Sequence, residues 1–355
     1  MKINKIYIVL LISYWIFFLV SCSPKIVKNG VNDLVVFPPP PDTTRIQYLT
    51  GFSNSKELFG DNSNFEKLIT GLSDDFSISK PFGLSTGKNK IVICDTKLGG
   101  LEIINLENKT YNLFKPGGLG QLMKPLNCFI DKDSLLYVVD ADRKDIVVFD
   151  DSLHYVKNVG YKELSKPTDV FVKDDKIYIT DISDHKIRIF SKDNSVLLNS
   201  FPDVDEQDTA FIHQPSNIFV TDKEIYVTDF GEFVIKVFDL NGNFIKNIGK
   251  AGSFAGGFVR PKGISLDKDK NLYVVDAAFE NVQLFNSEGE ILMYFGGPYK
   301  GRGTLYLPAK VTVDYHNLDF FRKYVYKDFN LNYLVFVTNQ FGPEKVSVYG
   351  FVEPK

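Results

Sequence analysis

Tryptophan, cysteine, methionine and histidine are all scarce in this chain, at one, three, three and four of 355 residues. The one tryptophan, Trp15, and the first cysteine, Cys22, lie near the front, so the rest of the chain keeps only Cys94 and Cys128. Two thiols cannot build the dense disulfide framework of exported domains that lack a sufficient core. The interior must therefore hold the fold, and 44% apolar residues with 31 Phe and 18 Tyr are enough to fill one. Excess charge is missing as well: 41 Lys and Arg against 44 Asp and Glu give a net charge of −3. Without a concentrated basic face, a nucleic-acid partner is excluded.

A membrane-spanning run is absent from the front end too. After Lys2 and Lys5 come fifteen uncharged residues, Ile6 to Val20. That is short of the roughly 20 a spanning helix needs but matches a secretory leader. The stretch closes Leu19-Val20-Ser21-Cys22, which resembles the lipobox of bacterial lipoproteins. The resemblance implies cleavage after residue 21, acylation of Cys22, and attachment to the membrane without a spanning segment. Ser23 after the cysteine resembles lipoproteins sent to the outer membrane of the cell envelope. Residues 22–43 then include Pro38-Pro39-Pro40-Pro41, read as an extended polyproline tether. Trimming the chain only to Pro38 is accordingly expected to be harmless.

From residue 44 onward the chain repeats. Pro81, Pro125, Pro167, Pro215, Pro261 and Pro308 recur at spacings of 42 to 48 residues. Each opens a short apolar strand; a second follows, ending in Asp95, Asp140, Asp181, Asp229, Asp276 or, last, Asn339; a third follows that. Several short strands in a period of the forties are the signature of a propeller blade. Five copies add a fourth strand, such as Phe244 to Gly249, and the sixth stops near Phe351 without one. Arg45 to Gly51 supplies the missing piece, so the expected architecture is an all-β, six-bladed propeller over residues 44–355, closed by its N-terminal strand. Asp61 to Leu72 reads as one capped helix. The aromatic link Tyr315 to Asn332 either projects as a docking arm or folds back under the disk.

Pro261-Lys262-Gly263-Ile264, then Leu272-Tyr273-Val274-Val275-Asp276, then Asn281-Val282-Gln283-Leu284-Phe285-Asn286 resemble the NHL repeat, a six-bladed propeller unit. Asp184-His185-Lys186-Ile187-Arg188-Ile189-Phe190 resembles another stretch of it. The resemblance spans about residues 44–351. The proline-rich lead-in and the ending around Val337 to Val346 further resemble exported bacterial six-bladed propeller lipoproteins, a group that implies no particular activity.

The candidate chemistry is modest. The aspartates recur in every blade, which suits turn-capping rather than a site built from unlike residues. Peptide-amidating lyases, a similar propeller class, use several channel histidines. Here His154 and His316 fall away from the channel mouth, His185 holds a repeat position, and only His213 is placed to face it. Two residues past each proline the repeat varies: Gly83, Asn127, Asp169, Asn217, Gly263 and Lys310. Lactonase-like propellers hold calcium with such oxygen donors; Lys310 would oppose a cation and is able to pair with Asp169 instead, and the other reading of the set is a polar, hydrated channel mouth. Cys94 and Cys128 pack as small apolar residues or form a disulfide. Loops of blades four and five bring Phe230, Phe233 and Phe279 to the His213 face as a binding patch. The expected function is a lipid-anchored envelope protein that binds a protein or glycan partner and needs no cofactor. A metal-dependent, lactonase-like hydrolase or lyase at the channel mouth, with calcium, is the alternative.

Overall fold

The computed structural model describes residues 34–60 and 77–355. The leader, Cys22 and the expected helix at Asp61 to Leu72 lie outside the described residues.

Blade four shows how the repeat becomes structure. Its strands Pro215–Val220, Glu224–Asp229, Val234–Asp239 and Phe244–Ile248 pair antiparallel in chain order. Ile225 and Val227 on the second strand and Ile235 and Val237 on the third are buried, so both faces of the inner strands meet neighbouring sheets. The turn Asn241-Gly242 joins the third and fourth strands, and Gly242 takes φ +93° there. A side chain at that position would also strike the Phe201 ring of blade three, 2.6 Å from a built Cβ. Four more sheets have the same order, and six innermost strands, one after each repeat proline, touch in a closed ring.

Six hydrophobic clusters lie between successive blades, the last joining blade six to blade one. The core is therefore a ring of interfaces, and no blade buries its apolar residues alone. Side-chain staples add to it: Thr228 Oγ1 donates to Lys262 O at 2.8 Å and Thr338 Oγ1 to Phe82 O at 2.8 Å.

Closure follows the expected route. Ile46–Phe52 pairs antiparallel with Val346–Pro354, with Ile46 opposite Phe351 and Phe52 opposite Val346. A single helical turn, Ser55–Phe59, follows, capped by Asn54 Oδ1, which accepts Glu57 N at 2.9 Å.

One expectation needs correction here and one open choice is resolved. The segment assigned to a tether does not stay extended to residue 43. Val36–Phe37 forms a fifth strand on Ile46 and Gln47, and the prolines lie in the connecting loop. Tyr48 N donates to Val35 O and Arg45 N to Phe37 O, both at 2.9 Å. The Phe37 ring lies 6.2 Å from Phe295 and 6.5 Å from Tyr349. Of the two alternatives for the aromatic link in blade six, the structure shows the second, folded back against the disk. The link forms a short helix, Leu318–Phe321, and a tight turn, Arg322–Tyr324, and Phe321 is fully buried against Phe336. Gln47 clamps it, donating to Tyr324 O at 2.9 Å and accepting Tyr326 N at 3.0 Å.

Blade one carries a misfit. Glu102, on the strand Gly100–Asn105, is fully buried between Ile93 and Leu113, and neither carboxylate oxygen has a partner among the described residues. At the matching position Lys236 donates to Thr209 O at 2.7 Å and Gln283 to Gly257 O at 2.8 Å, holding the connections into blades four and five. Burial, reinforced by Asp95 and opposed by Lys115, raises Glu102 to about 7.

Two outcomes follow for stability. Deleting residues 1–51 removes the closing strand and should abolish cooperative urea unfolding. Deletion through Pro38 should fold but lose about 2 kcal/mol, the burial of one aromatic side chain. Because Glu102 holds its proton more tightly folded than unfolded, its contribution to stability should be fully present below the ordinary glutamate range and be lost as pH rises through about 7. The full loss is on the order of 3 kcal/mol. Glu102→Gln should flatten that region of a stability-versus-pH curve.

Candidate functional site

The upper face of the disk carries the prolines, the strand-ending aspartates and the connections between blades; the lower face carries the hairpins between first and second and between third and fourth strands. The five aspartates are fully buried. Asp229 accepts His213 N at 2.8 Å and Gln214 N at 2.9 Å from the connection before Pro215, and Gly231 N at 3.1 Å from its own turn. Asp95, Asp140 and Asp276 do the same, and Asp181 accepts Ser165 N and Lys166 N. They are latches for backbone N–H groups, as their repetition indicates.

In every blade the ladder slips by a bulge just after the proline. The bulge aims the residue two places on toward the central channel. There Asn127, Asp169, Asn217 and Lys310 come together, all buried. Lys310 Nζ reaches across from blade six to Asp169 Oδ2 at 2.7 Å. The same oxygen accepts Asn217 Nδ2 at 3.0 Å and Ile218 N at 3.1 Å, and Asp169 Oδ1 accepts Val170 N at 3.0 Å. Asn127 Nδ2 donates to Thr168 O at 2.8 Å. Gly83 and Gly263 belong to the same tier because the neighbouring strand is too close: a built Cβ would lie 2.4 Å from Asn127 Oδ1 and 2.6 Å from Lys310 Cα.

This set forms a plug. The Lys310 ammonium already neutralises Asp169, which spends its oxygens on it and on N–H donors, so the donor set does not fit a metal. Among the described residues no three His, Cys, Asp or Glu side chains gather as metal ligands. Above the plug Lys262 Nζ lies 5.5 Å from the Phe82 ring centre. Burial, then the charges of Arg260 and Lys80, pull its ammonium down to about 8.

The other candidates are dispersed. His213 is on the upper face, its ring 5.0 Å from Phe211, and its carbonyl oxygen lies 2.6 Å from His185 Nδ1. Phe230 and Phe233 sit 6.3 Å apart and, like Phe279, are half-buried. Cys94 and Cys128 are free and buried in the seam between blades one and two, and burial pushes the Cys94 thiol well above its ordinary range.

Two connected concavities lie on the lower side. A vestibule of about 530 Å³ lined by lower-face hairpins leads to the rings of Phe129, Phe171 and Phe219, stacked aslant at 4.5 and 4.8 Å. Beside these rings a cavity of about 260 Å³ runs inward and up to Lys310, walled by Ser85, Ser265 and Thr312 from the other three blades. His316, expected away from the channel, is at its lower mouth with Tyr315. Reading the sequence for strand ends overlooked this tier, yet its signal was in register: Ser85, Phe129, Phe171, Phe219, Ser265 and Thr312 each stand four places past a repeat proline.

These features define a six-bladed β-propeller. A family model described as a 6-bladed beta-propeller matches residues 201–294, from the last strand of blade three through blade five. No curated protein matches the chain. A protein of unknown function from Bacteroides thetaiotaomicron is similar at TM-score 0.58 and 13% identity, covering 87% of this chain and 76% of that one. A gluconolactonase from Xanthomonas campestris is similar at TM-score 0.57 and 15% identity, covering 92% and 96%. A streptogramin B lyase is similar at TM-score 0.53 and 13% identity, covering 78% and 84%. At such identities the likeness is one of fold.

Lys310→Met, which leaves Asp169 buried without its counter-charge, should cost about 3–5 kcal/mol in urea unfolding. Adding Asp169→Asn to that variant should recover most of the loss. Calcium should leave the Tm of the unaltered protein unchanged.

Proposed function

We propose that this chain is a lipid-anchored protein of the cell envelope, tethered through Cys22 to the outer membrane. In this reading it belongs with the exported NHL-like propellers and uses its upper face to hold a protein partner. One observation carries the partner reading. All five fully described connections between blades expose a large apolar side chain, among them Leu119 at 75%, Tyr161 at 63% and Met123 at 61%, with Val204, Phe254 and Tyr299 on the others. Phe341 adds one from a turn of blade six. Isolated exposed apolar residues are ordinary, but one on each of these connections gives a single face a repeated set of apolar contacts.

The cations immediately before four of the repeat prolines, Lys80, Lys124, Lys166 and Arg260, are exposed on the same face. With Lys262 they favour a partner whose contact surface is apolar with an acidic centre. Phe230, Phe233 and Phe279 support the rim of this face. A glycan partner would rely on the half-buried aromatics more than on Leu119 or Met123. The hydrolase or lyase alternative draws support only from the folds of the Xanthomonas enzyme and the streptogramin B lyase, because Asp169, Asn217 and Lys310 are engaged with one another.

The test is cross-linking in intact cells. The unaltered protein should give one discrete adduct in the membrane fraction. Leu119→Ser, Tyr161→Ser and Tyr299→Ser together should lose it, while Val196→Ser, on a lower-face hairpin, should keep it. Cys22→Ser should move the protein to the soluble fraction. An adduct that persists in the triple variant would overturn the upper-face reading.

A further inference from the structure

The lower half of the channel is asymmetric in a way that packing alone does not require. Three successive blades place phenylalanines at the tier four past the proline, and the three opposite place Ser85, Ser265 and Thr312. The volume that further aromatic side chains would fill is left as the 260 Å³ cavity, and the three Phe rings are only half-buried. Protein interiors are normally filled to crystal density, so a ring-sized gap against an aromatic wall is a receptive surface. Flat, apolar groups pack well there by offset or edge contact.

The polar groups around the gap are mainly donors. Ser85 Oγ accepts Ile130 N at 2.9 Å and Ser265 Oγ accepts Val313 N at 3.1 Å, which leaves each hydroxyl proton to give. At the inner end Lys310 lines the cavity, and its Nζ spends one hydrogen on Asp169 and keeps others to offer. Thr312 Oγ1 is committed to Leu84 O at 2.9 Å. Outside, six lysines face four aspartates around the vestibule. Lys173 pairs with Asp222 at 2.6 Å and Lys192 with Asp131 at 2.8 Å, whereas Lys132, Lys223 and Lys270 form no ion pair among the described residues. Such a rim draws anions toward the opening.

We propose that this lower channel binds a small organic acid with one flat, ring-sized apolar body: the ring lies against Phe129, Phe171 and Phe219, and the acid oxygens accept from Lys310 Nζ and the serine hydroxyls. The site is independent of the upper docking face, and either can fail without the other.

The probe is 4-fluorophenylacetate, followed by fluorine NMR on the folded chain. Binding at or below millimolar concentration is expected, at least tenfold tighter than the uncharged 4-fluorophenylacetamide, a difference of about 1.4 kcal/mol. Phe171→Ala should weaken the acid at least tenfold. Thr86→Trp, which fills the cavity from a half-exposed strand position, should block it with the fold intact, and this variant decides the matter if Phe171→Ala does not fold. The upper-face triple variant should bind as the unaltered protein does. No binding at millimolar probe, equal binding of acid and amide, or full binding by Thr86→Trp would each overturn the proposal.

Discussion

In four of the six blades a buried carboxylate accepts backbone N–H groups from two places at once, the connection that arrives from the previous blade and the turn that follows its own strand. The proline stands opposite this carboxylate in the ladder and has no N–H to offer, so the two residues before it give theirs. Charge-assisted bonds of this kind are worth more than neutral ones, and an unpaired carboxylate here would be costly. The latch therefore sets where each blade begins, how its first strand bulges, and which side chains reach the axis. Blade six keeps the arrangement with an amide: Asn339 Oδ1 accepts Tyr306 N at 3.0 Å while its nitrogen holds Glu344 O and Ser347 Oγ.

Much of this was legible in the sequence because the latch is made of near neighbours. The proline period, the Asp positions and the odd strand at Arg45 to Gly51 needed only counting. The pairing of Lys310 with Asp169 was legible as well, since charge opposite charge in one tier has few other outcomes. What escaped depends on direction and distance. Nothing local says that Val35 to Phe37 turns back onto Ile46, because the prolines that suggested an extended spacer serve equally as the loop of a hairpin. Glu102 looks like any strand residue until three-dimensional packing removes its water. The face that holds the cavity escaped too: the repeat varies visibly beside the latch, whereas the open volume depends on small side chains two places further along.

The two faces of the disk thus have different characters. The upper mouth is shut by an ion pair and rimmed by exposed apolar residues and cations, a surface suited to another macromolecule. The lower mouth opens between lysines onto aromatic rings, a cavity on the scale of a small molecule. One set of inner strands builds both, because its polar residues two places past the proline separate the rim above from the rings below.

The docked segment ahead of the closing strand has a mechanical consequence. A pull on the chain before Leu34 meets the bond from Tyr48 N to Val35 O first, then that from Arg45 N to Phe37 O, and only afterwards Ile46 on Phe351. These contacts break in succession, as a zip opens, instead of all together under shear. The outer pair acts as a fuse: it gives way and lets out the proline loop as slack before any load reaches the strand that keeps the circle shut.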